Sequence, residues 1–372
     1  MAVSSFVVSE RKRSGMSRVL ILATSGTPPA SQRSIDARER PRIDYLDLQA
    51  RLSADLIDFS AYKSVPYRLM AKPDRLSRLA WGQAIYALRH WGDYETVYSL
   101  SEDVALPLAF LLCLRGIAPR HIMIAHNILS PRKVPLVRLM GVMGRFNRIV
   151  VLSRASVSGL VATYKVDPAR VVFQMDAIDE AFWRPRSGVR PELDFALSVG
   201  RARRDHATLV EAFRGLPARL HIQGDSQWQM ARRTGGVGRS SLPANVEIGD
   251  HLSYRELRDL YERAAFVVVP LQPGAHHSAG SVAVKEAMAM GKAVIVASSG
   301  GLEDYVRDGE TGIIVPAGDV SRLREAIKSL LADPAWAQRM GRNGRAVLER
   351  EMCYEAKIDW LAALADGEPV VA

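Results

Sequence analysis

The 372-residue sequence predicts an α/β protein of two doubly wound domains. Three observations carry that expectation. The length exceeds one ordinary domain. Short apolar runs alternate with helical patterns along the chain. Residues 273–312 hold a complete loop–helix–strand–loop unit. In that unit Ser278-Ala279-Gly280-Ser281 is a glycine-bearing loop, and Val282–Met290 follows with Val284, Ala287 and Met288 on one helical face. Gly291 caps the helix, and Ala293–Ala297 reads as a buried parallel strand. Ser299-Gly300-Gly301 is expected to open a further helix. Backbone N–H groups at such a helix start suit an anion, most often a diphosphate. Glu286, one turn in, can accept two hydrogen bonds from vicinal hydroxyls such as those of a ribose.

The other elements follow in order. Residues 1–16 read as a leader, and Met16 is a second candidate start. Arg18–Ala23 is the first strand, and the loop after it, Thr24–Pro29, carries Gly26 at the carboxyl edge of the sheet, where ligands bind. Ser31–Asp47 is charged and expected to be a mobile acceptor loop; Asp55–Phe59 is a second strand. Tyr67–Trp91 is a basic helical pattern broken at Pro73. With Trp81 on its apolar side it fits a membrane-surface helix or, more simply, an ordinary surface helix. Thr96–Leu100 is a strand, and Ser101-Glu102-Asp103 caps the apolar helix Val104–Arg115. His121–Ala125 is a strand ending at His126-Asn127, a polar pair in the catalytic position of such a sheet; the plainer reading has the histidine satisfying a loop carbonyl. Arg132, Lys133 and Arg138 mark a second basic helix. Strands are expected at Arg148–Ser153, Val171–Phe173, Phe195–Gly200, Leu220–Gly224, Asn245–Gly249 and Ala265–Pro270. Gln229–Ser241 is a basic, glycine-rich loop, and Ser253-Tyr254-Arg255-Glu256 is a capping box. The chain closes on helices at Val320–Leu331, Pro334–Glu349 and Tyr354–Ala365.

The run Glu286-Ala287-Met288-Ala289-Met290-Gly291-Lys292-Ala293-Val294, with Gly300-Gly301-Leu302-Glu303 and Asp308-Gly309-Glu310-Thr311-Gly312, resembles the donor site of family-four retaining glycosyltransferases of the GT-B fold. The resemblance covers residues 95–350 by motif and 17–94 by architecture only. It implies two Rossmann-like domains facing across a cleft: an acceptor domain at 17–182, a nucleotide-sugar domain at 183–350, and a C-terminal helix at 351–372 that crosses back. By the same resemblance Gly200, Arg201 and Arg204 hold the donor diphosphate, with Arg203 the rival of Arg204 for the place of the family's lysine. Gly26 faces donor and acceptor, Ile248 lies where the nucleobase packs, and His126 contacts the sugar. Ser278, Ala279, Gly280, Ser281 and Val282 form the donor loop, and Glu286 holds the ribose. The family's first glutamate is replaced by Ser278, and its Asn-Gly pair by Asp176-Ala177.

The implied reaction is glycosyl transfer from a nucleoside diphosphate sugar to an acceptor hydroxyl with retention, in polysaccharide, glycolipid or other glycoconjugate synthesis. A sugar-nucleotide epimerase of the same fold, or an inactive partner subunit, are the alternatives. The acceptor is not legible. No cofactor is expected and no metal, since His276-His277 lacks a third ligand. P-loop, His-Glu-x-x-His and Gly-x-Ser-x-Gly patterns are absent from the sequence. Two cysteines, Cys113 and Cys353, point to a reduced, cytoplasmic setting. The longest apolar run, Val104–Leu114, is too short to span a bilayer. Charge is uneven: residues 1–180 hold 25 Lys+Arg against 16 Asp+Glu, net +9, and residues 181–372 hold 25 against 24, net +1. The excess suits an anionic membrane surface at the inner face of the cytoplasmic membrane, an anionic acceptor or nucleic acid, and a solvated basic surface is the simple alternative; with the resemblance, no nucleic-acid partner is expected.

Overall fold

The computed structural model describes residues 18–25, 31–59, 79–92, 94–224, 242–250, 252–275 and 279–366. Residues 1–16, Gly26, the basic segment around Pro73, the loop Gln229–Ser241, and His276, His277 and Ser278 lie outside the described residues. The chain forms two compact units. The first comprises Met1–Gln32, Ile43–Gln174 and Ile358–Ala372, and the second comprises Arg33–Arg42 and Met175–Lys357.

The first unit is built on a parallel sheet of order β2-β1-β3-β4-β5-β6, with β1 Val19–Leu22, β2 Asp55–Ile57, β3 Thr96–Ser99, β4 Arg120–Ala125, β5 Arg148–Val151 and β6 Val171–Phe173. Its inner strands β1, β3, β4 and β5 are largely buried, as a parallel sheet between helical layers requires, while the edge strands β2 and β6 are only partly buried. Its helices include α1 Ser31–Asp36, which runs across the boundary between the units, α2 Asp44–Leu52, α3 Trp81–Arg89, α4 Glu102–Leu114, α5 Val134–Met140 and α6 Arg154–Tyr164. Ser101 caps α4 by accepting from the Asp103 N–H at 3.1 Å. Residues of the C-terminal helix Tyr354–Asp366 pack here too: Leu361 and Leu364 join the core of Val19, Ile21 and Tyr98, and the Tyr98 hydroxyl donates to the Leu361 carbonyl.

The second unit has a parallel sheet of order β12-β11-β10-β7-β8-β9, with β7 Glu192–Val199, β8 Arg219–Gln223, β9 Val246–Gly249, β10 Ala264–Val269, β11 Ala293–Ala297 and β12 Gly312–Val315. Its helices are α7 His206–Phe213, α8 Tyr254–Arg263, α9 Ser281–Ala289, α10 Val320–Ala332 and α11 Pro334–Glu351, followed by α12 Tyr354–Asp366. Every residue of β11 is buried, and Phe266, Val267 and Val268 of β10 are fully enclosed. Truncating one such side chain costs about 2–5 kcal/mol. The capping box at Ser253 and Glu256 closes in both directions.

Two expectations are corrected. The segment Ser31–Asp47 is no open loop: it contains α1 and the start of α2, whose Tyr45 and Leu48 are buried. After Ser299-Gly300-Gly301 there is only a three-residue 3-10 turn, Leu302–Asp304. Glu303 Oε1 accepts from the Ser299 and Gly300 N–H groups at 3.0 and 3.2 Å, and Gly312 must already pair with Val294. The chain between them turns instead, with Thr311 N–H donating to Arg307 O at 2.9 Å and Gly309 N–H to Gly312 O at 2.8 Å.

Candidate functional site

In the second sheet β7 and β10 are neighbours, and the chain leaves them toward opposite edges. That is a topological switch point, and the loops leaving its strand ends form a ligand crevice. Two of the sequence-predicted segments meet there. Gly200–Asp205 leaves β7, and Pro270–Gly280 leaves β10. They are stitched together, with Asp205 N–H donating to Pro270 O and Gln272 N–H to Arg203 O, each at 2.9 Å. The Arg203 side chain donates to Pro273 O and Gly274 O at 3.3 and 3.1 Å, fastening the start of the glycine loop.

Gly280 is the N-cap of α9, with φ +89. A Cβ there would sit 2.9 Å from Val269 Cγ1, so glycine is required both for the left-handed backbone and for the approach to β10. The first intrahelical bond runs from Val284 N–H to Gly280 O, which leaves the N–H groups at the start of α9 without intrahelical acceptors. Ala279 and Ser281 are buried, while Val282 is exposed at the mouth of the helix. Gly200, also left-handed with φ +105, lies against the Arg204 guanidinium, which leaves no room for a side chain.

Arg201 is exposed beside this loop. Arg204 is not: it is buried beneath the loop, with Nε and NH2 donating to Val199 O at 3.1 and 2.9 Å and NH1 to Ala202 O at 3.0 Å. Burial lowers its pKa to about 10, against the pull of Tyr261 and Glu286. Glu286 is buried in α9, and its Oε2 accepts from the Tyr261 hydroxyl at 2.7 Å. Burial raises the Glu286 carboxyl to about 7, a rise that the Tyr261 bond, Lys285 and Arg204 hold in check. Ile248, on β9, pairs with Ile222 and packs on the core beside α7.

Beneath α9 lies an ion cluster that the sequence did not announce. Asp176 bonds both Lys285 Nζ and Lys357 Nζ, the latter at 2.6 Å, and its N–H donates to the Tyr305 hydroxyl at 3.1 Å. Burial alone would raise the Asp176 carboxyl; the two ammonium groups override it and hold it well below the usual carboxylate range. Asp176 stands where the resembled family has asparagine, and a lysine inside an apolar helix was the one available signal.

In the first unit His126 follows β4 and is exposed. Its ring Nε2 lies 3.1 Å from Leu100 O, the contact of the plainer reading. The loop is set by Glu102 at the start of α4: the carboxylate accepts from His126 N–H at 2.9 Å and Asn127 N–H at 3.1 Å. Lys133 Nζ is bonded to Glu102 at 2.6 Å and to Asp103 at 2.5 Å, and it is buried, so this residue belongs to the site's scaffold and not to a basic helix surface. Burial would raise the Glu102 carboxyl, but Lys133 and His126 bring it below its ordinary value. Among the described residues no group of three or more His, Cys, Asp or Glu is placed to hold a metal ion.

Residues 179–347 match the family described as glycosyl transferases group 1, and the resemblance read from the sequence is borne out over that span. The chain is 29% identical over 226 residues to the alpha-maltose-1-phosphate synthase of Mycobacterium tuberculosis, covering 54% of this chain and 57% of that one. It spans about half the length of the curated relatives it matches. Its fold is that of GT-B structures. Sucrose-phosphate synthase from Thermosynechococcus elongatus superposes with TM-score 0.70 at 18% identity, over 95% of this chain and 99% of that one. Anabaena Alr3699/HepE in complex with UDP-glucose superposes with TM-score 0.69 at 15% identity, over 94% and 99%.

Proposed function

We propose that the chain is a glycosyltransferase that moves a sugar from a nucleoside diphosphate sugar to an acceptor hydroxyl with retention. One observation carries this reading: a buried carboxylate, Glu286, held by Tyr261 within a helix whose glycine-capped N-terminus opens at the switch point beside Gly200 and Arg201. That arrangement offers an anion site and a diol acceptor about one helical turn apart. The match to group 1 glycosyl transferases and the fold of the UDP-glucose complex support it.

In this reading the N–H groups from Ala279 to Val282 and the Arg201 guanidinium bind the diphosphate. Arg204 adds positive field from beneath Gly200, and Glu286 accepts from the ribose hydroxyls. The bond from the anomeric carbon to the phosphate oxygen breaks while the bond to the acceptor oxygen forms on the same face. The acceptor proton passes to the departing phosphate, so no protein nucleophile is needed. Helix dipole and cations stabilise the charge that develops on the leaving group. His126 contacts the transferred sugar. Among the described residues no helix is long and apolar enough to cross a membrane; the basic excess of the N-terminal half supports an anionic acceptor or a peripheral place on an anionic lipid surface.

Calorimetry with UDP, followed by UDP release from UDP-glucose with a panel of acceptors, tests the reading. Binding that weakens at least ~10-fold in Arg201→Ala and in Glu286→Ala supports it. UDP affinity unchanged in both variants would remove its basis.

A further inference from the structure

The second unit holds a cavity of about 390 Å³ whose walls include Arg38, Arg40, Arg42, Arg184, Arg258 and Asp179. It shares no lining residue with the switch-point site. Three of these arginines come from the short segment Arg33–Arg42, which belongs to this unit although the chain on either side of it belongs to the other. The segment is fastened at both ends. Arg255 of α8 donates to Ala37 O and Arg38 O at 2.8 and 3.2 Å, and Arg42 N–H donates to Asp179 Oδ2 at 2.9 Å. Arg38 sits in the left-handed region with φ 53, a backbone state that this fastening maintains.

The charge in this cavity is unbalanced. Among the described residues Asp179 is the only acidic one in its lining. That carboxylate already accepts from the Arg42 and Phe182 N–H groups and lies 3.7 Å from Arg42 Nε. Arg42 also pairs with Glu355. Among the described residues no carboxylate lies within ion-pair distance of Arg38, Arg184 or Arg258. Arg258 stacks over Phe182 with its guanidinium carbon 5.1 Å from the ring centre, and its Nε is buried with no hydrogen-bond acceptor. A buried donor without an acceptor costs free energy, as does gathering like charges around one space. A bound anion offsets both costs, and guanidinium groups match phosphate oxygens in pairs.

We propose that this cavity binds a small phosphate-bearing molecule at a site separate from the nucleotide site. Its volume falls in the range of small-ligand pockets, so it accommodates an organic phosphate ester rather than a bare ion alone. Arg258 and Arg184 grip the phosphate, Arg38 adds charge at the rim, and Phe182 supplies an apolar wall. Three of the arginines that make the N-terminal half basic thereby act within the second unit.

The test is calorimetry on the full chain with inorganic phosphate and glucose 6-phosphate, each with saturating UDP present, and glucose as the uncharged control. The expected result is binding of both phosphates, none of glucose, and affinity reduced at least ~10-fold in Arg184→Ala/Arg258→Ala, one charge-assisted bond's worth. The single variant Arg184→Glu, at an exposed position, gives the same reading if the double variant fails to fold. Vesicles of phosphatidylcholine with phosphatidate distinguish the source. Binding displaced by glucose 6-phosphate supports the site with a lipid headgroup as ligand; absence of vesicle binding, with glucose 6-phosphate still bound, supports it with a soluble one. Equal affinity in wild type and Arg184→Glu, or no binding of either phosphate, overturns the proposal. Because these measurements do not depend on transfer, failure of UDP to bind would count against the glycosyltransferase reading alone.

Discussion

The Tyr261 hydroxyl donates to Glu286 Oε2 at 2.7 Å, and both side chains are buried. The phenol satisfies one oxygen of a carboxylate whose protonation burial has pushed up to about 7 from an ordinary value of 4.5. The sign of the stability effect follows. A folded-state pKa above the unfolded one makes the protonated form favour folding, so the contribution is full below about pH 4.5 and is lost as pH rises through about 7. Glu286→Gln should therefore be relatively more stable at pH 8 than at pH 4, by up to roughly 3 kcal/mol, while binding UDP more weakly. Urea unfolding of both proteins at the two pH values measures this. Parallel pH profiles would show that Glu286 is ionised at ordinary pH in the folded protein.

Asp176 pairs with both Lys285 and Lys357, and Lys285 is almost fully enclosed. Asp176→Asn removes the carboxylate that both ammonium groups share and should cost about 3–5 kcal/mol. With its folded-state pKa depressed, the stabilisation from Asp176 is present above its unfolded value of 3.8 and is lost as pH falls below that. The variant should accordingly lose the part of the acid-unfolding slope below about pH 4 that the parent shows. Unfolding by circular dichroism from pH 7 to pH 2 checks both points; a cost under 1 kcal/mol, on the scale of an exposed pair, would contradict the buried-triad geometry.

Gly280→Ala places a methyl group 2.9 Å from Val269 Cγ1 on a left-handed backbone. The strain should destabilise the second unit by about 1–3 kcal/mol. It should also tilt the start of α9, so UDP affinity falls further than stability alone explains. Thermal unfolding with and without UDP separates the two effects: an unchanged ligand-induced shift would mean that the N-terminus of α9 does not touch the nucleotide.

The sheets were legible in the sequence because their strands are short apolar runs with turn residues at both ends. The run Ala293–Ala297 and the helix beginning near Ser281 lie within a residue of where the pattern puts them. The nucleotide-side loops were legible because glycine at 200 and 280 answers a backbone demand that sequence displays directly. Partnerships between distant residues were not. Tyr261 sits in a helix whose pattern, Leu257, Leu260, Tyr261, says only that the side chain is buried. Lys133 looked like one more surface cation beside Arg132, and only the fold brings it against Glu102, 31 positions away. The resemblance put Arg204 in the place of the family's phosphate-binding lysine, yet its donors are turned to the carbonyls of Val199 and Ala202. Charge counting likewise assigned Arg38, Arg40 and Arg42 to the first half of the chain, whereas their segment packs with the second unit.

The Glu102 carboxylate gives the last prediction. It accepts from the N–H groups of His126 and Asn127 and from Lys133, so a single side chain fixes the loop after β4. Glu102→Gln keeps the shape but replaces one acceptor oxygen with a donor and removes the charge. One or two of the three donors then face the amide NH2, according to which way it is turned, and the buried ammonium of Lys133 keeps only Asp103 as an anionic partner. The expected cost is about 1–3 kcal/mol of stability, with the His126 loop released from its present position. If His126 contacts the transferred sugar, turnover should fall at least ~10-fold, while UDP affinity, for which the proposed contacts are Arg201, Glu286 and the start of α9, should stay at the wild-type value. Lys133→Met should be harsher, since it leaves two carboxylates facing each other without a cation. Calorimetry with UDP beside a steady-state transfer assay distinguishes the outcomes. Wild-type turnover in a folded Glu102→Gln protein would show that the His126 loop has no part in transfer, and loss of UDP affinity would show that Glu102 acts on the second unit instead.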